Sequence, residues 1–384
     1  MMKNQPPSLK ALLTYFLKLG TTGFGGPIVL CESMRRDLVE TRGWIAAKEY
    51  TDGFALSQLA PGPLATQLAI YLGWVRGGVL WATLVGIAFV LPSFIMVLIL
   101  AVLYMTFGGL TWIQGAFYGI GASVIAIIAM SAYKLVTKTF KSDWLLWGVG
   151  ILSAAITAVT ESENLWVFLL AGLLIVTVKK LPKMNRPLAL FLLPPLAITG
   201  LNSDRSLSPL WSIFLYFCKA GAVVFGSGLA IVPFLHSGVV LEHHWLTERQ
   251  FLDAVAVAMI TPGPVVIAVA FIGTLVAGLS GGLVAALGVF LPCYLLVIIP
   301  APYFNRIAKN QSIGAFVSGV TAAAIGAIAG AAYILAKRSL IDWPTVAIAS
   351  VTLLALLKLK RVPEPWLILL AGVIGVVLQS YKIQ

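Results

Sequence analysis

The sequence predicts an all-α polytopic membrane protein built from two homologous helical repeats in opposite orientations. The 384 residues are 60% hydrophobic and 10% charged, with a mean hydropathy of +0.98. A soluble domain carries roughly 25% charged residues, so lipid must solvate most of these helices. The other two observations are apolar runs of about the 20 residues that span a bilayer, and an internal repeat with matching helix breaks.

The net charge of +12 comes from 26 basic and 14 acidic residues. Most of the basic residues lie between apolar runs, which is the pattern of positive-inside topology. Nucleic-acid binding needs a basic cluster on one face, so we expect no nucleic-acid partner. The three cysteines, Cys31, Cys218 and Cys293, lie in or beside apolar runs, and this odd number favours no disulfide framework.

Four apolar runs in each half are the clearest membrane spans. The shorter ones begin near tryptophans, which anchor helix ends at the membrane interface. In chain order the runs are Val79–Met105, Trp112–Ala132, Trp144–Thr160, Leu165–Val178, Leu283–Pro300, Ile313–Ala336, Trp343–Leu357 and Trp366–Leu378.

Two other apolar regions in each half are interrupted by glycine and proline. In the first half these are Leu9–Leu30, which contains Gly20 and Pro27, and Tyr50–Trp74, which contains Pro61-Gly62-Pro63. Proline removes a backbone donor and clashes with the preceding turn. Freed backbone groups are tolerated at membrane depth only inside the protein or beside a watery cavity. We therefore predict broken or re-entrant helices at these motifs, facing the interior.

The broken regions recur as an internal repeat. Phe16 and Lys18 reappear as Phe217 and Lys219, an offset of 201 residues (217 − 16). The same offset pairs Trp44 with Trp245, Asp52 with Asp253, and Pro61-Gly62-Pro63 with Pro262-Gly263-Pro264. A gap of one residue then aligns Leu91-Pro92 with Leu291-Pro292, and Trp166 with Trp366.

A lysine, an aspartate, a tryptophan and a Pro-Gly-Pro matching in one register indicate a duplication. We predict a first repeat over residues 1–180, a linker over 181–209 and a second repeat over 210–384. The linker contains a short apolar run that can supply one extra membrane crossing.

Loop charges predict that the second repeat is inverted. In the first half, Lys134, Lys138 and Lys141 lie in one loop, and Glu161 lies in the next. At the position matching Glu161, the second half carries a basic loop of Lys358, Lys360 and Arg361. Positive-inside topology then places the two equivalent loops on opposite sides. Lys337 and Arg338 do not fit this pattern. A protein of ten to twelve membrane crossings with re-entrant hairpins is the alternative topology.

Inverted repeats with broken helices at matching positions are typical of secondary transporters, whose substrate site lies where the breaks meet. Helix N-termini there present free N–H groups that bind anions. The alternative is that glycine and proline only permit kinks and close packing. The candidate substrate-binding residues at the breaks, with their polar neighbours, are Gly25, Gly26, Pro27, Gln58, Pro61, Gly62, Pro63, Thr66, Gln67, Gly226, Ser227, Gly228, Thr261, Pro262, Gly263 and Pro264.

Lys18 and Lys219 are further substrate-binding candidates. Each lies about ten residues into its helix, or about 15 Å at 1.5 Å per residue. A cation near the bilayer centre is costly and suggests a function, and a lysine from each repeat suits an anionic substrate. The alternative is that both side chains extend to the interface.

Asp52 and Asp253 are carboxylates repeated at the same offset. A carboxylate in apolar surroundings binds a proton more readily, so both are candidates for proton coupling. The alternative is a helix-start carboxylate favoured by the helix dipole.

Catalytic signatures are weak. The chain has three histidines, and the pair His243-His244 lacks the helical spacing of a zinc site. There is no phosphate-binding loop and no nucleophile elbow. We expect no enzyme activity, no metal site and no cofactor.

Several motifs resemble the chromate ion transporter (CHR) family, across nearly the whole chain, as in its two-domain members. The matching segments are Phe24-Gly25-Gly26-Pro27, Gly43-Trp44, Leu59-Ala60-Pro61-Gly62-Pro63 with Thr66-Gln67, Phe225-Gly226-Ser227-Gly228, Trp245-Leu246-Thr247 and Ile260-Thr261-Pro262-Gly263-Pro264-Val265. Two departures are Ser227, where the family's second copy usually has glycine, and the continuation Cys31-Glu32.

The resemblance implies a multi-pass protein of the cell membrane that exports chromate from the cytoplasm, driven by the proton motive force. Its partners would be chromate or a sulfate-like oxyanion, protons as the coupling ion, and the lipid bilayer. The alternatives are a sulfate or other anion carrier, and an anion channel or non-transporting membrane protein. The oligomeric state is left open, with a homodimer as one option.

Overall fold

The computed structural model describes residues 7–24, 26–141, 143–161, 165–178, 208–223, 231–304, 310–340, 342–359 and 363–382. These residues form fourteen α-helices and no strand, which confirms the all-α prediction. The first repeat contains α1 (Leu9–Thr22), α2 (Gly26–Met34), α3 (Ala47–Leu59), α4 (Leu64–Phe107), α5 (Thr111–Phe140), α6 (Trp144–Thr160) and α7 (Leu165–Val178). The second contains α8 (Pro209–Val223), α9 (Ile231–His236), α10 (Glu248–Ile260), α11 (Ala268–Ile298), α12 (Gln311–Ser339), α13 (Trp343–Lys358) and α14 (Glu364–Lys382).

Among the described residues, four helical segments are long and apolar enough to cross a membrane. They are Leu64–Phe107, Thr111–Phe140, Val265–Tyr303 and Gln311–Ser339, and four shorter apolar helices accompany them. The prediction of a polytopic membrane protein is confirmed. The linker 181–209 falls almost entirely outside the described residues, and the repeat boundaries stay a prediction.

The first broken region of the first repeat is a helical hairpin. α1 runs to Thr22, and α2 returns beside it before passing into a π-helical turn, Arg35–Thr41. Near the tip Gly23 lies against Leu30, and further from it the Tyr15 hydroxyl donates to the Ser33 carbonyl oxygen at 3.4 Å. In the second repeat, Tyr216 of α8 reaches the carbonyl oxygen of Phe234 at 3.1 Å in the same way.

The second broken region is also a helical hairpin, with the Pro-Gly-Pro at its tip. α3 enters, and the first arm of α4 (residues 64–76) returns beside it, so that Gly53 packs on the Tyr71 ring. At the base, Arg76 pairs with Glu49, whose carboxylate also accepts from the Ala46 N–H at 2.9 Å. Each arm of 13 residues is about 20 Å long at 1.5 Å per residue. Each arm is thus shorter than the roughly 30 Å apolar layer of a bilayer.

The chain reverses a second time inside α4. The helical path breaks at Gly77 and Gly78, where Gly78 takes φ +67°, a left-handed conformation that favours glycine. The second arm, residues 79–107, then packs back on the first, with Ile70 against Gly86. α11 breaks at the matching position, where Gly278 has φ +65°.

The second arms of α4 and α11 pack on each other in opposite directions. The hydroxyl groups of Thr83 and Tyr294 lie 2.7 Å apart. At the other end of the contact, Leu98 approaches Gly282. Because Thr83 and Gly282 lie near the starts of the two arms, these equivalent helices run antiparallel.

The outer helices are exchanged between the repeats. α6 and α7 of the first repeat pack on α12, and α13 and α14 of the second pack on α5. The Ser153 hydroxyl donates to the Ala323 carbonyl oxygen at 2.7 Å. The Thr352 hydroxyl, in turn, lies 3.3 Å from that of Ser123. The two repeats therefore interlock and share their core.

Candidate functional site

Tips of the hairpins meet in the interior of the protein. The Gly263 N–H, from the second repeat, donates to the Gly23 carbonyl oxygen of the first repeat at 2.8 Å. Beside this bond is a cavity of about 10 Å³. Its lining residues come from three tips: Pro27, Leu30, Pro63, Ala65, Gly263, Pro264 and Val265.

Two long helices brace the tips from behind. Ser93, which follows the in-helix Pro92, lies against Gly263, and its hydroxyl donates to the Gly20 carbonyl oxygen at 3.3 Å. Cys293 follows Pro292 and lies against Gly62 in the same way. Neither residue was predicted from the sequence to belong to the site, although each follows one of the equivalent prolines Pro92 and Pro292 of the two repeats.

Glycine is required at the tips for two reasons. Gly62 has φ +134° and Gly263 has φ +101°, a backbone region that other residues adopt only with strain. In addition, a Cβ on Gly263 would collide with the Ser93 hydroxyl, and one on Gly62 would collide with Gln67. Each predicted Pro-Gly-Pro motif therefore lies in close contact with a residue of the other repeat, Gly62 with Cys293 and Gly263 with Ser93.

Thr66 and Gln67 are the polar side chains of the first turn after the first tip. Both are buried, at 1% and 0% exposure. The Gln67 amide donates to the Pro61 carbonyl oxygen. Among the residues that the structure describes, the Thr66 hydroxyl and the Gln67 carbonyl oxygen have no hydrogen-bond partner. Leaving such groups buried and unpaired costs about 1–3 kcal/mol each, which is expected where a ligand supplies the missing partner.

Several tip carbonyls already have donors. Gly20 accepts from Ser93, Gly23 from Gly263, and Pro61 from Gln67. Helices α2 and α4 begin at these tips, and the first amides of a helix have no acceptor within it. The helix-start N–H groups and the Thr66 hydroxyl remain as donors, which suit an anion, whereas the Gln67 carbonyl oxygen is an acceptor.

The cavity between the tips is small in this conformation. Its 10 Å³ is about the space that one water needs. A tetrahedral oxyanion is larger and would fit between the tips only if they separated. The Gly263 to Gly23 hydrogen bond and the Ser93 contact are the interactions that this separation breaks.

The structure places the other predicted site residues differently. Gln58 and Lys18 are exposed, and Lys219 is half-buried. None of the three lines the tip cavity. Thr261 is buried and donates to the Val257 carbonyl oxygen of its own helix at 2.7 Å. A binding role for these four residues stays a prediction.

Gly26 and Pro27 start α2 at the first tip, and Gly26 has φ +79° with open space around it. Four predicted residues, Gly25, Gly226, Ser227 and Gly228, lie outside the described residues.

Asp52 and Asp253 occupy equivalent positions in α3 and α10 but have different surroundings. Asp52 is half-buried. Asp253 is 2% exposed and accepts a hydrogen bond of 2.7 Å from the Tyr104 hydroxyl of the first repeat. The sequence could not show this contact, because Tyr104 is 149 positions away and matches Phe304 in the other repeat.

Comparison with known proteins identifies the family. The family model described as Chromate transporter matches residues 10–176 and again residues 211–376. The two matches together cover most of the chain, one in each predicted repeat, and they confirm the resemblance found from the motifs.

Curated relatives match nearly the full length. The "Chromate transport protein" of Cupriavidus metallidurans is 57% identical over 373 residues, covering 96% of this chain and 93% of the relative. The "Probable chromate transport protein" of Synechococcus elongatus is 54% identical over 378 residues, covering 97% and 96%. The "Chromate transport protein" of Pseudomonas aeruginosa is 30% identical over 346 residues, covering 86% and 82%. No solved structure matches the chain significantly.

Proposed function

This chain belongs to the chromate transporter family, and from that membership we propose that it exports chromate from the cytoplasm, driven by the proton motive force. The observation that carries the proposal is the buried Thr66 hydroxyl, which has no hydrogen-bond partner among the described residues and lies in the first helical turn after the first Pro-Gly-Pro tip. Relatives named as chromate transport proteins, at 57% and 54% identity, favour chromate over other oxyanions.

The substrate site is proposed to be the space that opens between the tips. Chromate is a compact oxyanion with up to two negative charges. Helix starts at the tips direct N–H groups and positive dipole ends toward it, as discontinuous helices do in other transporters. The Thr66 hydroxyl adds a donor, and the brace residues Ser93 and Cys293 limit how far the tips can move.

The two repeats are proposed to have opposite orientations in the cell membrane. The antiparallel packing of α4 on α11 supports this, because repeats related by an axis along the membrane normal would pack these equivalent helices in parallel. The loop charges, basic at Lys138 and acidic at Glu161, support an orientation with the end of α5 in the cytoplasm and the end of α6 outside.

A labelling experiment tests this orientation. Thr137 and Lys337 are exposed, equivalent residues near the ends of α5 and α12. In a variant lacking Cys31, Cys218 and Cys293, we expect a membrane-impermeant thiol reagent to label Thr137→Cys only from the cytoplasm. It should label Lys337→Cys only from outside. Labelling of both positions from one side would contradict the opposite orientation.

Transport is tested with the purified full-length protein in proteoliposomes. We expect uptake of labelled chromate that rises severalfold when the pH gradient is imposed in the favourable direction. A proton-coupled carrier gains its driving force from that gradient. Unlabelled sulfate in excess measures selectivity, and protein-free liposomes are the control.

The alternatives predict other results. Uptake of sulfate but not of chromate would identify a sulfate carrier. Chromate flux that ignores the pH gradient and does not saturate would identify an anion channel. Either result would contradict proton-driven chromate export.

A further inference from the structure

Asp253 is a buried carboxylate that the anion site does not use. We infer that Asp253, positioned by Tyr104, is the group that exchanges the coupled proton, and that Asp52 is not. The inference rests on the proposed proton-driven export and names the residue of the second repeat that performs the coupling.

Burial without an ion pair is the first argument. Asp253 is 2% exposed, and it forms no ion pair with the residues that the structure describes. The hydrogen bond that it accepts, from Tyr104 at 2.7 Å, comes from a neutral phenol. A buried charge without an ion-pair partner costs several kcal/mol unless a proton neutralises it. Such carboxylates in membrane proteins mark proton pathways.

A cavity gives the carboxylate access to water. The space beside it measures about 210 Å³, room for several waters. Its lining residues come from α5, α10, α12 and α13: Phe117, Tyr118, Gly121, Ala122, Glu248, Arg249, Leu252, Asp253, Arg338, Ser339 and Thr345. Water in this cavity can deliver one proton to the carboxylate, which becomes a neutral carboxyl and later returns the proton to water.

The other charged groups around the cavity already have partners. The Glu248 carboxylate lies 2.6 Å from the His236 ring nitrogen and 2.7 Å from the Arg338 guanidinium. Arg338 also pairs with Glu161. Arg249, one helical turn before Asp253, donates to the Gln114 carbonyl oxygen at 2.9 Å, and its positive charge attracts the Asp253 carboxylate without forming an ion pair with it. Tyr104 of α4 and Tyr118 of α5 are the titratable hydroxyls on this side. Asp253 is therefore the carboxylate in the cavity whose charge is least compensated.

The two repeats differ in the residue that would donate to this aspartate, and the difference distinguishes Asp253 from Asp52. With the one-residue gap of the repeat, Tyr104 matches Phe304, whose ring cannot donate a hydrogen bond. The position equivalent to Asp253 is half-buried Asp52. A half-buried carboxylate keeps contact with water.

The place of Asp253 in the fold connects it to the anion site. α10 runs from the cavity to Ile260 and ends at the tip that bonds Gly23 through Gly263. Asp253 lies seven residues, about 10 Å of helix, before the end of α10 at Ile260, and ten positions before Gly263. Neutralising Asp253 changes how firmly α10 is held to Tyr104, and α10 carries the tip that must move.

The test measures proton movement and chromate movement separately in proteoliposomes. Wild-type protein should move protons, seen with a trapped pH-sensitive dye, only when chromate is present. In Asp253→Asn the chromate-dependent proton flux should fall at least 10-fold, while chromate–chromate exchange at equal pH is retained. Asp52→Asn, the matched control, should keep both activities.

Tyr104→Phe gives a second measurement, the pH dependence of proton flux. A purely structural role of Asp253 would leave this pH dependence unchanged. Without the phenol donor the ionised carboxylate is less stable, so the pH of half-maximal proton flux should shift upward while exchange persists. If Asp253→Asn does not assemble, this shift decides the matter, and an unshifted profile overturns the inference. Coupled proton flux that survives in Asp253→Asn also overturns it. Wild-type chromate flux without proton movement would instead overturn the proposed coupling itself.

Discussion

Replacing Thr66 with valine is expected to lower chromate transport about 10- to 100-fold while the protein stays folded. The Thr66 side chain is buried, at 1% exposure, and its hydroxyl has no partner among the described residues. Valine has nearly the same shape and removes a donor that the proposed substrate site would use. A hydrogen bond to a charged group contributes about 1.5–3 kcal/mol, and each 1.4 kcal/mol is tenfold in affinity. Thermal stability should be unchanged or slightly higher, because an unpaired buried group is lost.

Thr274→Val is the matched control for this prediction. Thr274 is also 1% exposed and lies in the first arm of α11, but its hydroxyl donates to the Ala270 carbonyl oxygen at 2.7 Å. We expect this variant to transport chromate at close to the wild-type rate. Equal transport loss in both threonine variants would show that the effect is general to buried hydroxyls, and would contradict a substrate role for Thr66.

Gly263→Ala should abolish measurable transport, a loss of more than 100-fold. A Cβ at this position meets the Ser93 hydroxyl, and φ +101° is strained for alanine. The clash pushes the second Pro-Gly-Pro away from Gly23 and so disorganises the site between the tips. The strain alone costs about 1–3 kcal/mol, and the clash adds to it. Chromate uptake and thermal unfolding of the purified variant measure the two effects.

Gly278→Ala separates strain from collision. Gly278 also has a positive φ, +65°, but a Cβ there has nothing within 4 Å. This variant should lose some stability and keep its transport. The double variant Gly263→Ala with Ser93→Gly removes the collision and should recover part of the activity. If Ser93→Gly gives no recovery, tip contact with Ser93 is not what limits transport.

Much of this architecture could be predicted from the sequence because its signals are local. Pro-Gly-Pro and the glycines near Pro27 interrupt apolar runs, and backbone chemistry forces a break there. The apolar runs from Val79 and Leu283 are continuous, and both became long helices. The re-entrant shape was one of the options that these breaks allowed, and the structure shows hairpins.

The rest depends on contacts between residues that are far apart in the chain. Lys18 and Thr66 both look polar in an apolar segment, yet one is exposed and the other buried. That difference is set by which face of the helix packs. Asp52 and Asp253 match in sequence, but only the second meets a tyrosine from the other repeat. The positions of Ser93 and Cys293 against Gly263 and Gly62 depend on packing between the repeats, which the sequence does not show.

Equilibrium binding of labelled chromate to the purified protein tests the central claim most directly. The account predicts saturable binding at one site per chain, weakened about 10-fold or more by Thr66→Val and unchanged by Thr274→Val. Binding to Thr66→Val that matches the wild type would contradict the placement of the anion site at the hairpin tips.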